Sequence, residues 1–490
     1  MSVPGAPDET RRRGARDTPT GPDTPTGPDS APPVDLAAAE AAVDDELDQA
    51  LALANARRGR PHRHAPATPR PEGTAPVPHA HQDTDIPHPP HQPRPGHVHR
   101  DTPWPEARRI AAAAGSPLRR VLKPLAQALG CALAEPLTAL TDLPSFDTSA
   151  MDGWAVAGPG PWRPEGRVLA GERALAALPD GHATGIATGA LLPAGTTAVL
   201  RSEYSRVGAD GLLHATRGGP GPGQDVRPRG QECRSGDELL ATGALVTPAV
   251  LGLAAAAGYD ELPVTVRPAV EILVIGDELL DRGLPGSGRV RDALGPFLPA
   301  WLTALGADVV AYRRLKDDAG LLREAVTASG ADLVVTTGGT AGGPVDFLHP
   351  VLAGIGARLL VDGVAVRPGH PMVLAGLPGG GGHLVGLPGN PLAAVSGVLT
   401  LVVPLMRALA GRPAPVPSAV RLTGDVPGHP TDTRLVPVVL DEELQAVPLR
   451  FSGPAMLRGI ATADGMAVIP PGGAAKGDTT AVLETGWGRL

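Results

Sequence analysis

Cysteine is nearly absent from these 490 residues: Cys131 and Cys233 are the whole complement. No CxxC spacing joins them, so neither a disulfide framework nor a zinc knuckle is indicated, and a reducing, cytoplasmic setting is expected. Aromatic side chains are also scarce, with Phe 4, Trp 5 and Tyr 3, and lysine occurs only at Lys123, Lys316 and Lys476. The formal net charge is −8, which leaves nucleic acid no cationic face to bind. No apolar run is unbroken over the length of a membrane span. The longest uncharged stretch late in the chain, Leu384 to Met406, is interrupted by Pro388, Pro391 and Pro404, which suits a strand, a loop and a buried helix rather than a membrane span. The first arginines have no apolar segment behind them, so no signal peptide is expected.

Glycine (64) and proline (57) are plentiful, without a G-X-Y period, and collagen is excluded. Residues 1–100 hold 19 of the prolines and 8 of the 14 histidines but no Phe, Trp or Tyr. A segment with so little apolar surface cannot offset the entropy of ordering, so this tail is expected to be disordered. Within it, Leu36, Val43, Leu47 and Leu51 fall on one face of a candidate docking helix over 34–58. The Pro- and His-rich tract over 59–100 reads as a solvated linker more than as a metal site, because proline-separated histidines have no fixed geometry.

The remaining chain is long enough for several domains. Residues 101–153 and 235–266 are expected to form an elongated linker domain with helical and extended parts, including two helices over 103–144 with a turn at Gly115–Pro117. A small β-rich inserted domain is expected over 154–234. From 267 to 413, strand candidates at 269–276, 307–315, 331–339, 357–366 and 383–389 accompany helical stretches at 293–305, 318–329, 344–354 and 390–410. That alternation argues a doubly wound, mostly parallel α/β sheet. Residues 414–490 show short β-runs only, a C-terminal β-domain. The fold class is therefore α/β and multi-domain.

Open α/β sheets bind ligands at the carboxyl ends of their strands. Three of those ends are unusual here: Gly276-Asp277-Glu278, the loop running from Thr336 through Gly338, Gly339 and Thr340 to Gly343, and Pro388-Gly389-Asn390-Pro391 ahead of a helix. Backbone without side chains lets amide N–H groups approach an anion closely, and a helix amino terminus adds a favourable dipole. Each loop alone is equally explained as a turn, with Asn390 as helix cap and Pro391 in first position. Their convergence on one sheet edge describes an oxyanion or phosphate site. The carboxylates Asp277, Glu278 and Asp346 on the same edge would repel a phosphate unless a cation stood between them, and Mg²⁺ is the usual solution. Far upstream, Ser145 to Val156 packs two acids, Asp147 and Asp152, and three hydroxyls around Phe146 and Met151, a polar knot that periodicity does not explain.

That upstream run, SFDTSAMDGWAV, resembles the FDNSAMDGYAV signature of the molybdopterin molybdenumtransferases, the MoeA and gephyrin E-domain family. The similarity continues in order through IATGALLPAGTTAVL (186–200), VRPRGQE (226–232), GDELL (276–280), Asp317-Asp318, TTGGTAGGPVDF (336–347), VRPGHP (366–371) and GLPGNP (386–391). The resemblance implies a homodimer that binds molybdate and adenylylated molybdopterin, inserts molybdenum with Mg²⁺ assisting, and releases AMP. It implies catalytic roles for Asp152, Glu278, Asp317 and Asp346, with Glu278 and Asp346 near the metal and Asp152 and Thr188 reaching in from a partner subunit. By the same matching, Asp147, Ser149, Thr188, Arg227, Glu232, Gly276, Asp277, Gly338, Gly339, Thr340, Arg367, Pro388, Gly389, Asn390 and Pro391 are substrate-binding.

Departures from the pattern cluster at the anion cradle. Ala341 replaces a hydroxyl and Pro344 an acid. Arg367 and His370 stand in a segment that carries lysines in the family, Ile275 precedes Gly276 in place of Ser or Thr, and the IYDSN segment becomes Val290-Arg291-Asp292-Ala293-Leu294. Two readings follow: a working molybdenum insertase, or a catalytically weak paralogue that binds molybdopterin or scaffolds cofactor assembly.

Overall fold

The computed structural model describes residues 101–172, 176–340, 347–415 and 418–487. The expected docking helix over 34–58, the histidine-rich tract and Asp346 lie outside the described residues.

The α/β sheet has six strands in the order Asp308–Leu315, Ala269–Ile275, Leu333–Thr337, His383–Leu387, Val373–Gly376, Arg358–Asp362. The first four are parallel, Val373–Gly376 runs against them, and Arg358–Asp362, antiparallel to Val373–Gly376, runs with them again, which agrees with a mostly parallel sheet. Leu333–Thr337 is buried at every position and Ala269–Ile275 at all but the first, because helices cover both faces and a strand so placed must be apolar throughout. The helices include Leu294–Ala304, Ala319–Ala328 and Leu348–Gly354. Asp318 starts the second of these by accepting a hydrogen bond from Leu321 N at 2.8 Å, which satisfies one of the orphan donors of a helix start.

A helix of 19 residues, Pro391–Leu409, closes the core on one side. By length and composition it is apolar enough to cross a membrane, but 78% of its apolar window is buried inside the fold, so its hydrophobicity is accounted for by packing. Pro404 sits within it without breaking it. Val398–Val402 forms a wide π-turn in which Val403 N–H bonds back to Val398 O, and that widening accommodates a ring with no N–H of its own. Against this helix packs Trp104–Ala114, burying Ala107 and Ala111, with Trp104 Nε1 donating to Thr400 Oγ1 at 3.0 Å. Each large apolar side chain buried fully in this core contributes about 1.5–3 kcal/mol.

The second helix expected before residue 144 is largely replaced by extended chain. Arg120–Pro124 is a strand and only Leu125–Ala128 turns helically. The reason is pairing: Arg120–Pro124 lies antiparallel to Glu261–Thr265, which also pairs Ala132–Leu133. Two segments far apart in sequence thus build one linker unit, completed by the helix Pro248–Ala256 capped by Thr247. The inserted β-unit is a four-stranded sheet in the order Arg163–Val168, His182–Ile186, Gly153–Val156, Ala198–Arg201.

The strand expected over 357–366 is two strands in two sheets. Arg358–Asp362 stays in the α/β sheet, whereas Val364–Arg367 joins the seven-stranded C-terminal sheet beside Thr433–Leu440. Gly363 makes the switch at φ 79, and a Cβ there would lie 2.7 Å from Asp101 Oδ1. The chain over 366–371 therefore sits where the two sheets meet.

Candidate functional site

The three glycine-bearing loops meet at the carboxyl edge of the parallel strands. Gly338 N donates to Leu387 O at 3.0 Å, and a Cβ at Gly338 would stand 3.0 Å from Ile275 O. Gly338 also has φ 84, so close approach and backbone conformation both require glycine there. A Cβ on Gly389 would touch Gly338 Cα at 3.7 Å. Gly276 leaves room for Glu278, whose Oε2 would lie 2.7 Å from a Cβ at that position. The neighbouring strand end contributes Asp317, which accepts a hydrogen bond from Asp277 N at 3.1 Å and so fixes the Asp277–Glu278 turn.

Between these loops lies a cavity of about 580 Å³. Glu278, Gly338, Gly339, Gly389, Asn390 and Pro391 line it, so six of the expected site residues share one pocket. Glu278 is exposed to it. Two features of the wall were not anticipated. Leu279–Leu280 pairs in parallel with Val290–Arg291, which brings Arg291 and Asp292 into the lining. Ala455 and Leu457 of the C-terminal domain form another part of it.

Asp292 is committed to the scaffold. It is 7% exposed, its Oδ1 accepts from Gly295 N at 2.8 Å and its Oδ2 from Tyr312 Oη at 3.3 Å. Burial, with the charge of Asp292 beside it, pushes the Tyr312 hydroxyl up from its ordinary value. Arg291 is different: it is exposed, it forms no hydrogen bond or ion pair among the described residues, and it is the one cation lining the cavity. A guanidinium beside glycine loops is an anion ligand by its chemistry.

The helix start behaves otherwise than expected. Asn390 occupies the cap position and Pro391 the first turn, but the Asn390 side chain makes no capping bond. Leu392 N and Ala393 N both donate to Pro454 O, at 2.9 and 3.2 Å. The C-terminal domain thus takes the helix-start amides that an anion would otherwise meet. Arg367, expected to keep a charge at the anion cradle, donates from Nε to Asp432 Oδ2 at 2.8 Å and is not among the lining residues. Burial alone would push Asp432 up. Hydrogen bonds from Thr431 and Arg367, with the charges of Arg367 and His429, outweigh it and hold the carboxyl below its ordinary value. His370 lies 3.0 Å from Asp101.

The upstream residues gather elsewhere. Thr188 N and Thr188 Oγ1 donate to Asp152 Oδ1 at 2.7 and 3.0 Å, and these bonds hold the Asp152 carboxyl below its ordinary value. Asp147 Oδ1 accepts from Arg229 N at 2.7 Å, and Ser149 Oγ donates to Met151 O at 2.5 Å. Thr148–Ser149 pairs with Val226–Arg227, which sets Arg227 and Glu232 on a second cavity of about 760 Å³ against the helix residues Gly252 and Leu253. None of these six residues lines the cavity at Glu278.

Residues 102–258 match the MoeA N-terminal region (domain I and II), 271–408 match a probable molybdopterin binding domain, and 419–484 match the MoeA C-terminal region (domain IV). Molybdopterin molybdenumtransferase 2 of Mycobacterium tuberculosis is 33% identical over 391 residues, 74% of this chain and 94% of that protein. The chain belongs to the MoeA family. Molybdopterin molybdenumtransferase of Synechococcus elongatus is 35% identical over 316 residues, 61% of this chain and 78% of that protein. Among solved structures, a molybdopterin biosynthesis MoeA protein of Pyrococcus horikoshii shares 26% identity at a TM-score of 0.63, covering 79% of this chain and 99% of the other.

No group of three His, Cys, Asp or Glu side chains stands ready to hold a metal among the described residues. Mg²⁺ does not need one, since it keeps several waters and takes one or two carboxylates beside substrate phosphates. Glu278, open to the cavity and not spent on the scaffold as Asp292 and Asp317 are, fits that role. Of the carboxylates expected at this edge, Glu278 lines the cavity and Asp277 does not. Arg291 departs from the MoeA pattern, and its position next to the GDEL turn depends on a two-residue strand pairing that carries no periodicity.

Proposed function

We propose that this chain is a molybdenum insertase that transfers molybdenum from molybdate to adenylylated molybdopterin with release of AMP. Molybdenum cofactor biosynthesis and the transferase class follow from the family. The observation that supports the finer reading is the cavity at Glu278, where three glycine loops, the Arg291 guanidinium, with no partner among the described residues, and the Glu278 carboxylate meet. Tetrahedral molybdate and the substrate phosphates are the anions such a pocket suits, because close backbone and a positive charge compensate their charge.

In this reading Arg291 binds an oxyanion and takes over the charge that Arg367 has given to Asp432. Asp317 orients the Asp277–Glu278 turn. Glu278 and Asp346 would hold Mg²⁺, which when bound neutralises phosphate charge and favours loss of AMP. A homodimer brings Asp152, Thr188, Arg227 and Glu232 of one subunit toward the Glu278 cavity of the other, consistent with none of the four lining that cavity in a single chain. We place the chain in the cytoplasm, in keeping with two buried free cysteines, and retain domain boundaries at 153, 234, 266 and 413.

The alternative, a weak paralogue acting as a scaffold through its amino-terminal tail, rested on the altered cradle. Arg291 supplies the charge whose loss motivated it. The test is to incubate the full chain with molybdate, Mg²⁺ and adenylylated molybdopterin. AMP is released by the wild type and not by Asp346→Ala. No AMP above background from the wild type overturns the reading.

A further inference from the structure

A further pocket, of about 220 Å³, lies at the other end of the long helix. Its walls are mostly apolar, from Leu399, Val403 and Met406 of that helix, Leu305, and Leu483 of the C-terminal sheet. Into it come three arginines, Arg108, Arg407 and Arg412, against one carboxylate, Glu484. For a chain of net charge −8 this is a local excess of positive charge in apolar surroundings.

Among the described residues, Glu484 is the one carboxylate facing these three guanidinium groups. Arg108 donates to the carbonyl of Leu399 and lies 5.1 Å from the Trp104 ring centre; burial pushes it down to about 10. Arg407 donates twice to Pro413 O, at 3.0 and 2.6 Å. Burial, then the charge of Arg412, pushes it down, with Glu484 opposing. Arg412 has no side-chain hydrogen bond or ion pair among the described residues, and burial pushes it down as well. Carbonyl oxygens orient two of the groups without neutralising them, and the third has no side-chain partner among the described residues. A partly desolvated cation without an anion is costly, and one anion shared by two or three guanidinium groups relieves that cost through charge-assisted bonds.

We infer that this pocket binds a small amphipathic organic anion, a carboxylate or phosphate ester whose head meets Arg412 and Arg108 and whose apolar body lies on Leu399, Val403 and Met406. The size is suitable: a dry cavity of about 150 Å³ accepts benzene, so 220 Å³ accommodates a ring with a charged head. The site is independent of the proposed insertion chemistry. It shares only the helix Pro391–Leu409, whose first residue lines the Glu278 cavity.

Isothermal titration of the full chain with benzoate, phenyl phosphate, benzyl alcohol and inorganic phosphate tests this inference. Benzoate or phenyl phosphate, or both, should bind at one site per chain, at least tenfold more tightly than benzyl alcohol, and inorganic phosphate should not displace them. Which of the two binds more tightly identifies the head group. Arg412→Gln, at a half-buried position, should weaken binding at least tenfold, and Val403→Phe should block it while the thermal transition remains cooperative. Arg291→Gln should leave it unchanged. Equal affinity in wild type and Arg412→Gln, equal binding of benzyl alcohol, loss of binding in Arg291→Gln, or no binding at millimolar concentration would each overturn the assignment.

Discussion

Thr188 gives both of its donors to one oxygen of Asp152: the main-chain N–H at 2.7 Å and Oγ1 at 3.0 Å meet Oδ1. The carboxyl is held low first by the backbone bond and second by the hydroxyl. Thr188→Ala removes only the second. The Asp152 titration, followed by carboxyl carbon NMR, should therefore move up toward the ordinary range without reaching it. An unchanged titration would show that the hydroxyl contributes nothing.

Arg291 and Arg367 should separate by function. Arg291→Gln removes a charged donor from the cavity, a loss of about 1.5–3 kcal/mol, so molybdate and AMP should bind roughly ten- to hundredfold more weakly by titration calorimetry. Arg367→Gln should leave those affinities within about twofold, because that side chain is paired with Asp432 outside the lining.

Asp432 couples stability to pH. Its folded carboxyl is held below the ordinary value and it is 6% exposed. Such a group contributes stability that is present above its unfolded pKa, near 4, and is lost as pH falls through the folded value. Urea midpoints should thus fall more steeply below pH 4 in the wild type than in Asp432→Asn, and at pH 7 the variant should be about 1–3 kcal/mol less stable.

Gly338 should not tolerate a side chain. With φ 84 and Ile275 O only 3.0 Å from where a Cβ would stand, Gly338→Ala should cost about 1–2 kcal/mol from the left-handed backbone alone. A thermal midpoint equal to that of the wild type would contradict the loop contact described here.

Much of the molecule could be read in advance. The parallel strands announced themselves as apolar runs, and Gly276, Gly338, Gly339 and Gly389 marked the edge where they end. What could not be read was set by pairing between distant segments. Arg120–Pro124 looked helical by spacing but is held extended by Glu261–Thr265, and the run over 357–366 divides at Gly363 because each half finds a different sheet. Likewise, Pro454 is in a loop far from the helix start it covers, and only the tertiary fold reveals that Arg367 answers to Asp432.

The central claim is that the cavity at Glu278 performs molybdenum insertion. The direct measurement is molybdenum bound to purified product, quantified after incubating adenylylated molybdopterin, molybdate and Mg²⁺ with wild type or with Glu278→Gln. The wild type should yield molybdenum in stoichiometric proportion to AMP, and Glu278→Gln should lower the rate by roughly two orders of magnitude or more with its fold intact. Equal rates in the two proteins, or AMP release without molybdenum in the product, would contradict it.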